Sequence, residues 1–253
     1  MALGRDDQIT TRLLHDAGIS KGMTVLDIGC GHGNVTRLVA DLVGPDGHVV
    51  GIDVNGRAVD RARAFSEQRG LHNVSFLETD AAAPPPPPSA EAYDAIVGRR
   101  VLMYVPQRTA AMRALAGVLR PGGVAAFHEI DRSMMPSSPQ THPLHDQVNQ
   151  WLWTTVEREG ASTAMGYELP MVFESGGLQL AGAWAEGIVE HPALRQPTAQ
   201  RIRAVLPRIL QHAVATAEEI DVDTLDARLE QELLSNRGVY VSTMAFCAWA
   251  TKD

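Results

Sequence analysis

Apolar residues recur along the chain at two alternating periods. The run Thr24–Ile28 is continuous, short and closed by Gly29, which predicts a buried strand rather than a helix. Val35, Leu38, Val39 and Leu42 then fall at helical spacing, up to Gly44-Pro45. The switch repeats. His48–Asp53 reads as a second strand, 56–69 as a helix with Ala58, Ala62 and Phe65 on one side, and Val74–Glu78 as a third strand. Residues 93–97 predict a fourth strand, 106–119 a helix with Pro106 in its first turn, and 124–129 a fifth strand. Ahead of these, 6–18 predict a short helix carrying Ile9, Leu13 and Ala17 on one face, with Asp6 or Asp7 as its cap. Strands alternating with helices predict an α/β fold, a doubly wound Rossmann-like sheet with helices on both faces. The proline run 84–88 cannot occupy a helix interior and predicts an extended connection between strands three and four.

Beyond residue 130 the texture changes. Residues 132–143 read as a loop rich in Ser, Pro and Met, followed by a helix bearing Leu144, Val148, Trp151, Leu152 and Val156. Residues 170–175 read as helical up to Gly176-Gly177. Two β-like runs, 181–190 and 239–250, bracket an almost wholly helical stretch, 197–235, with Pro207 in its first helix. The last run must return to the sheet, so 1–253 reads as a single domain with helical insertions. Insertions near the carboxyl ends of strands often cover the ligand crevice, so 132–176 and 191–236 are expected to form a substrate-covering lid.

Composition narrows the class. Of 253 residues, 45% are hydrophobic and 21% charged, enough for a sizeable core. The balance of 22 basic against 30 acidic residues, a net charge of -8, argues against nucleic acid as a partner. Two cysteines, Cys30 and Cys247, form neither a disulfide framework nor a metal-ligand spacing. No apolar run approaches the roughly 18 residues of a membrane span, and the first residues lack a signal peptide's apolar stretch. A cytoplasmic protein with no membrane or metal partner is expected.

Candidate chemistry concentrates in Val25-Leu26-Asp27-Ile28-Gly29-Cys30-Gly31-His32-Gly33-Asn34. Glycines between a strand and a helix permit a tight turn and let a ligand approach the backbone, and the helix start offers unpaired N–H groups. Asp53 ends the second strand, where a carboxylate can accept from both ribose hydroxyls; Asp80 follows the third, within reach of an exocyclic amine. A dinucleotide site would show G-x-G-x-x-G, whereas this loop is G-x-G-x-G. Asp27 is also a poor neighbour for a pyrophosphate, though not for a ligand with an amino acid tail.

This segment resembles motif I of the class I S-adenosylmethionine (SAM)-dependent methyltransferases, with Asp27, Gly29, Gly31 and Gly33 matching it. Gly51-Ile52-Asp53-Val54 resembles the family's ribose-binding acid, and Glu78-Thr79-Asp80-Ala81 its adenine-binding acid. Residues 93–99, ending in Gly98-Arg99, resemble the fourth strand and cofactor loop, and Leu119-Arg120-Pro121-Gly122-Gly123 the turn before strand five. The resemblance implies SAM as cofactor and S-adenosylhomocysteine as product. It implies cofactor contacts from Asp27, Gly29, Gly31, Gly33, Asp53, Val54, Asp80, Ala81 and Arg99, and a sheet of seven strands with the final strand antiparallel. Residues 130–253 match only the general layout. There Met165-Gly166, Leu169, Phe173 and Gly176-Gly177-Leu178 resemble the small-molecule, ubiquinone-biosynthesis-like branch.

Methyl transfer is an in-line displacement from an already activated sulfonium, so the protein mainly supplies orientation and exclusion of water. A general base serves only an O–H or N–H nucleophile. His128 and Glu129, at the carboxyl end of strand five, and Tyr104, just past strand four, are the catalytic candidates. The first two point to opposite strand faces, so one of them is expected in the crevice. His142 and His145 read as surface or capping residues. Arg99 reads as support for the cofactor loop, Arg100 as solvated, and Cys30 and His32 as pointing out of the glycine loop. Trp151 and Trp153 lie two apart, so one reads as core and the other as pocket-facing. The expected activity is metal-independent methylation of a small molecule, a natural-product intermediate among the candidates. A SAM-binding protein that catalyses a rearrangement or serves as a partner subunit, a protein side-chain methyltransferase and an NAD(P)-dependent oxidoreductase are the alternatives. The acceptor atom and a homodimer are left open.

Overall fold

The computed structural model describes residues 4–88, 90–133, 138–194, 198–236 and 238–253. Residues 134–137 of the predicted loop, and residue 197 at the start of the predicted helical stretch, lie outside them.

The chain runs α1 (Arg5–Asp16), β1 (Thr24–Ile28), α2 (Asn34–Val43), β2 (His48–Asp53), α3 (Gly56–Gln68), β3 (Val74–Glu78), β4 (Tyr93–Arg99), α4 (Arg108–Val118) and β5 (Leu119–Asp131). It continues with α5 (Pro143–Arg158), α6 (Met165–Ser175), β6 (Gln179–Glu190), α7 (Thr198–Gln211), α8 (Ala217–Ile220), α9 (Leu225–Asn236) and β7 (Tyr240–Thr251). The seven strands lie in the order β3-β2-β1-β4-β5-β7-β6. β1 pairs in parallel with β2 and β4, β2 with β3 and β4 with β5, and the final strand is antiparallel. The order reverses at β1, so the loops after β1 and β4 flank the topological switch point where open α/β sheets bind ligands.

Two compact units divide the chain. The first comprises the chain up to Glu129, with Met165–Trp184 and Phe246–Asp253. Its β1 is buried along its whole length, which is why that strand reads as a continuous apolar run. α1 packs on α2, and α4 on α6. α6 begins five residues before the predicted start, and Pro170 lies inside it. Met165, Leu169, Val172 and Phe173 are buried at helical spacing, and that packing overrides the proline. Pro106 lies just ahead of α4, whose N-cap is Gln107. The N-cap of α1 is Gly4, with neither Asp6 nor Asp7 capping.

The second unit comprises Ile130–Ala164 and Ala185–Ala245. Val148, Trp151, Ala199, Ile202, Ile209, Ile220, Leu225 and Leu229 form its core, drawn from α5, α7, α8 and α9. Trp151 and Trp153 are both buried. His142 and His145 are also buried, contrary to the surface reading. The His145 Nδ1 lies 2.5 Å from Glu232 Oε2, and its Nε2 3.5 Å from Glu190 Oε2. Burial alone would lower the His145 pKa, but hydrogen bonds and charge from Glu190 and Glu232 outweigh it and raise it. Glu232 also accepts from the backbone N–H groups of Leu144 and His145, so one carboxylate closes the start of α5 onto α9. Periodicity misses such a cluster because ion-paired polar residues occupy core positions.

Candidate active site

Each glycine of the loop 29–33 has positive φ: 62° at Gly29, 52° at Gly31 and 76° at Gly33. A Cβ at Gly29 would stand 2.3 Å from Val101 Cγ2, whereas one at Gly31 would meet nothing within 4 Å. The first position is closed by packing; the second is open, as close approach of a ligand to the backbone requires. Gly33 is the N-cap of α2. Cys30 points inward, contrary to expectation, into a core cluster with Val59, Ala62 and Phe76. Burial and the nearby Asp27 and Asp53 charges raise its pKa, so the thiol stays protonated and inert. His32 is exposed.

Asp27 is 1% exposed, and its Oδ2 accepts from the Thr36 hydroxyl at 2.6 Å. Its Oδ1 is buried with no hydrogen-bond partner among the described residues. Burial pushes its pKa up to about 7, against the opposing pull of Thr36 and of the Arg99 charge. Asp53 closes the loop from β2: Oδ2 accepts the Gly31 N–H at 2.9 Å and Oδ1 the Asn55 N–H at 2.9 Å. Val54, next to it, is 69% exposed. Asp80 Oδ1 accepts the Ala82 N–H at 2.7 Å in a tight turn that leaves Ala81 buried. An orphaned buried carboxylate oxygen, an open glycine and two acids at the ends of β2 and β3 fit a ligand carrying an ammonium, a ribose and an adenine.

The strand-five candidates are engaged by neighbouring elements. His128 is fully buried and is the register partner of Arg99 in a parallel pair, so both side chains share a face. They meet α1 there. Arg99 donates to Asp7 at 2.8 Å and to Thr10 Oγ1 at 3.2 Å, and Arg100 to Asp6 at 2.7 Å. Arg100 is therefore ion-paired rather than solvated. His128 Nδ1 lies 3.0 Å from Thr10 Oγ1, whose proton goes to the Asp6 carbonyl. Nδ1 must then carry the ring proton, and Nε2 is a buried lone pair. Burial, assisted by the Arg100 charge, depresses the His128 pKa to about 3, so the ring is neutral. Thr10→Val should leave Nδ1 without an acceptor and lower stability by about 1–3 kcal/mol, read as a fall of several degrees in Tm. An unchanged Tm would show that this contact contributes nothing.

Glu129 is also fully buried. It faces the other way, as expected of the next strand residue, and accepts from the N–H groups of Val101 at 3.0 Å and Leu102 at 2.9 Å. Burial pushes its pKa up to about 7, against the pull of those N–H groups. Tyr104 ends the 3-10 turn Leu102–Tyr104 and is 39% exposed. Among the described residues, no group of three His, Cys, Asp or Glu could hold a metal ion, and no helix is long and apolar enough to cross a membrane.

The family model described as "Methyltransferase domain" matches residues 19–176. The sterol 24-C-methyltransferase erg6 of Aspergillus fumigatus is 33% identical over 118 residues, 46% of this chain and 30% of that protein. The aklanonic acid methyltransferase DauC of a Streptomyces species is 37% identical over 106 residues, 42% of this chain and 47% of that protein. The chain thus aligns with less than half the length of either relative. The crystal structure of a SAM-dependent methyltransferase from Aquifex aeolicus shares the fold, with a TM-score of 0.56 and 18% identity over 96% of this chain and 89% of that one. With the family model covering more than half of the sequence, and with the glycine loop and its acids in the matched stretch, the chain belongs to the SAM-dependent methyltransferases.

Proposed function

We propose that this chain transfers the methyl group of SAM to a small-molecule acceptor, a natural-product intermediate being the leading class. The observation that carries the reading is the pairing of Asp27's orphaned Oδ1 with the open Gly31 turn. In this reading Asp27 holds the ammonium of the cofactor's methionine part, Gly29, Gly31 and Gly33 shape the loop beside it, and Asp53 binds the ribose. Val54, Asp80 and Ala81 bracket the adenine. When bound, SAM supplies a sulfonium-activated methyl group, for which no metal is needed.

The acceptor class is supported by the net charge of -8, which disfavours nucleic acid, and by the small molecules named for the sterol and aklanonic acid relatives. Of the three catalytic candidates, Tyr104 is the one we place against the acceptor. A neutral, buried His128 is a poor base, and one Glu129 oxygen is already engaged by backbone N–H groups. Arg99, held by Asp7 and Thr10, acts on Asp27 through its charge.

The test is transfer of a labelled methyl group from SAM into cell extract split into small-molecule and macromolecular fractions. Label should appear in the small-molecule fraction, disappear with Asp53→Ala, and fall several-fold with Tyr104→Phe while SAM binding is kept. Label in protein would replace the acceptor class. SAM binding with no transfer to any fraction or to a panel of small-molecule acceptors would favour the non-methylating alternative.

A further inference from the structure

We propose that Glu129 is a positioning residue for the glycine loop: its carboxylate fixes the turn 100–102, and that turn seats the Val101 side chain against Gly29. This rests on the reading that the loop 29–33 holds SAM.

The turn needs such support. Arg100 has a φ of 54°, a left-handed conformation that non-glycine residues seldom adopt and that costs about 1–2 kcal/mol. Three contacts from β5 hold the chain there. The Arg100 N–H donates to the His128 carbonyl at 2.8 Å, and the next two N–H groups, of Val101 and Leu102, both donate to Glu129 Oε1. All the inward donors of the turn are therefore spent on two consecutive β5 residues. The 3-10 turn carrying Tyr104 starts from the same anchor, with the Tyr104 N–H donating to the Val101 carbonyl at 2.9 Å.

Val101 transmits this anchor. An added Cβ would lie 2.3 Å from its Cγ2 at Gly29 and 2.8 Å from its Cγ1 at Gly98. The isopropyl group is thus wedged between the end of β1 and the end of β4, filling space that only glycines leave. Gly29 is the first residue of the loop, so a shift of Val101 is a shift in the floor under Gly31 and the Asp53 contact. The second Glu129 oxygen is buried with no hydrogen-bond partner among the described residues, and the Met103 N–H of the same turn adds a weaker pull on the carboxylate. Burying it for two backbone contacts makes sense where the position of that backbone matters.

SAM dissociation constants, measured by equilibrium dialysis on the full chain, test this. Glu129→Gln retains an oxygen for both N–H groups and should bind within about threefold of wild type. Glu129→Ala and Val101→Ala should each weaken binding by about tenfold. The double variant should be no weaker than about the same tenfold, because both act through one contact. Losses that multiply to about a hundredfold, or Glu129→Ala binding as wild type does, would overturn the inference while leaving SAM binding intact. Failure of the wild-type chain to bind SAM would overturn the underlying reading, and this one with it. Should Glu129→Ala not fold, amide hydrogen exchange in Glu129→Gln decides: wild-type protection at Val101 and Leu102 supports the anchor, and its loss overturns it.

Discussion

Gly29→Ala should destabilise the chain by about 3 kcal/mol or more, while Gly31→Ala should cost only about 1 kcal/mol and yet abolish most SAM binding. Both residues have positive φ, so each alanine carries the same left-handed penalty of about 1–2 kcal/mol. They differ in what the new methyl group meets. At Gly29 it falls 2.3 Å from Val101 Cγ2 and 2.7 Å from Val101 Cβ, and Val101 cannot withdraw because its backbone is held by Glu129. Overpacking of that kind adds about 1–3 kcal/mol. For a chain of this length the sum corresponds to a fall of about 10 °C in Tm, and for Gly31→Ala to about 2–4 °C. At Gly31 the new methyl meets nothing within 4 Å among the described residues beyond its own chain neighbours, so it projects where the cofactor is expected to lie. Its SAM dissociation constant should rise by at least about tenfold. Thermal unfolding without ligand and dialysis with labelled SAM separate the two. Gly31→Ala binding SAM as wild type does would mean that the open face of the loop is not the ligand's side.

How much of this could be read in advance varies with the physics behind each feature. β1, β2, β3 and α2 have the bounds that their hydrophobic runs and flanking glycines predict, since burial and turn chemistry act on the same few residues. The places of the two candidate acids were legible for the same reason: Asp53 ends β2 and Asp80 lies just past β3, positions that the run lengths define. What could not be read are contacts between residues far apart in sequence. Asp6 and Asp7 look like helix caps until Arg100 and Arg99, more than 90 residues later, are brought to them. His145 looks like a surface residue until Glu190 and Glu232 surround it. Glu129 looks like a general base because its position at the carboxyl end of β5 is the usual place for one. Only the bonds to Val101 and Leu102 show that its carboxylate is engaged. In each case a charged side chain is accounted for by a partner that no local pattern announces.

Asp27→Asn should raise stability at pH 8 and weaken SAM binding, a reversal expected of a group kept for its ligand rather than for the fold. The Asp27 pKa rises from an ordinary 3.8 to about 7 because the side chain is buried. A carboxyl whose folded pKa is raised favours folding relative to its ionised form only while protonated. That contribution is complete below about pH 4, fades as pH climbs, and is gone above about pH 7. At pH 8 the folded chain therefore holds a buried carboxylate with one oxygen unpartnered, at a cost on the order of 4 kcal/mol relative to a neutral group. Asparagine removes that charge and still offers a carbonyl oxygen to Thr36. The stability difference between variant and wild type should widen from pH 4 to about pH 7 and then level off; a difference independent of pH would show that Asp27 does not titrate in this range. SAM binding should move the opposite way. An ammonium is best held by the ionised carboxylate, so wild-type affinity should rise as pH climbs through about 7. It should then decline above about 8, where an α-amino group loses its proton. Asp27→Asn should lose about ten- to a hundredfold in affinity and the rising limb of that profile with it. Retention of the rising limb in the variant would transfer the effect to Glu129, the other buried carboxyl of the first unit pushed up to about 7. Asp27 is thus expected to lower the stability of the ligand-free chain so that the carboxylate stands ready for a positively charged ligand, and the same substitution measured both ways tests that trade.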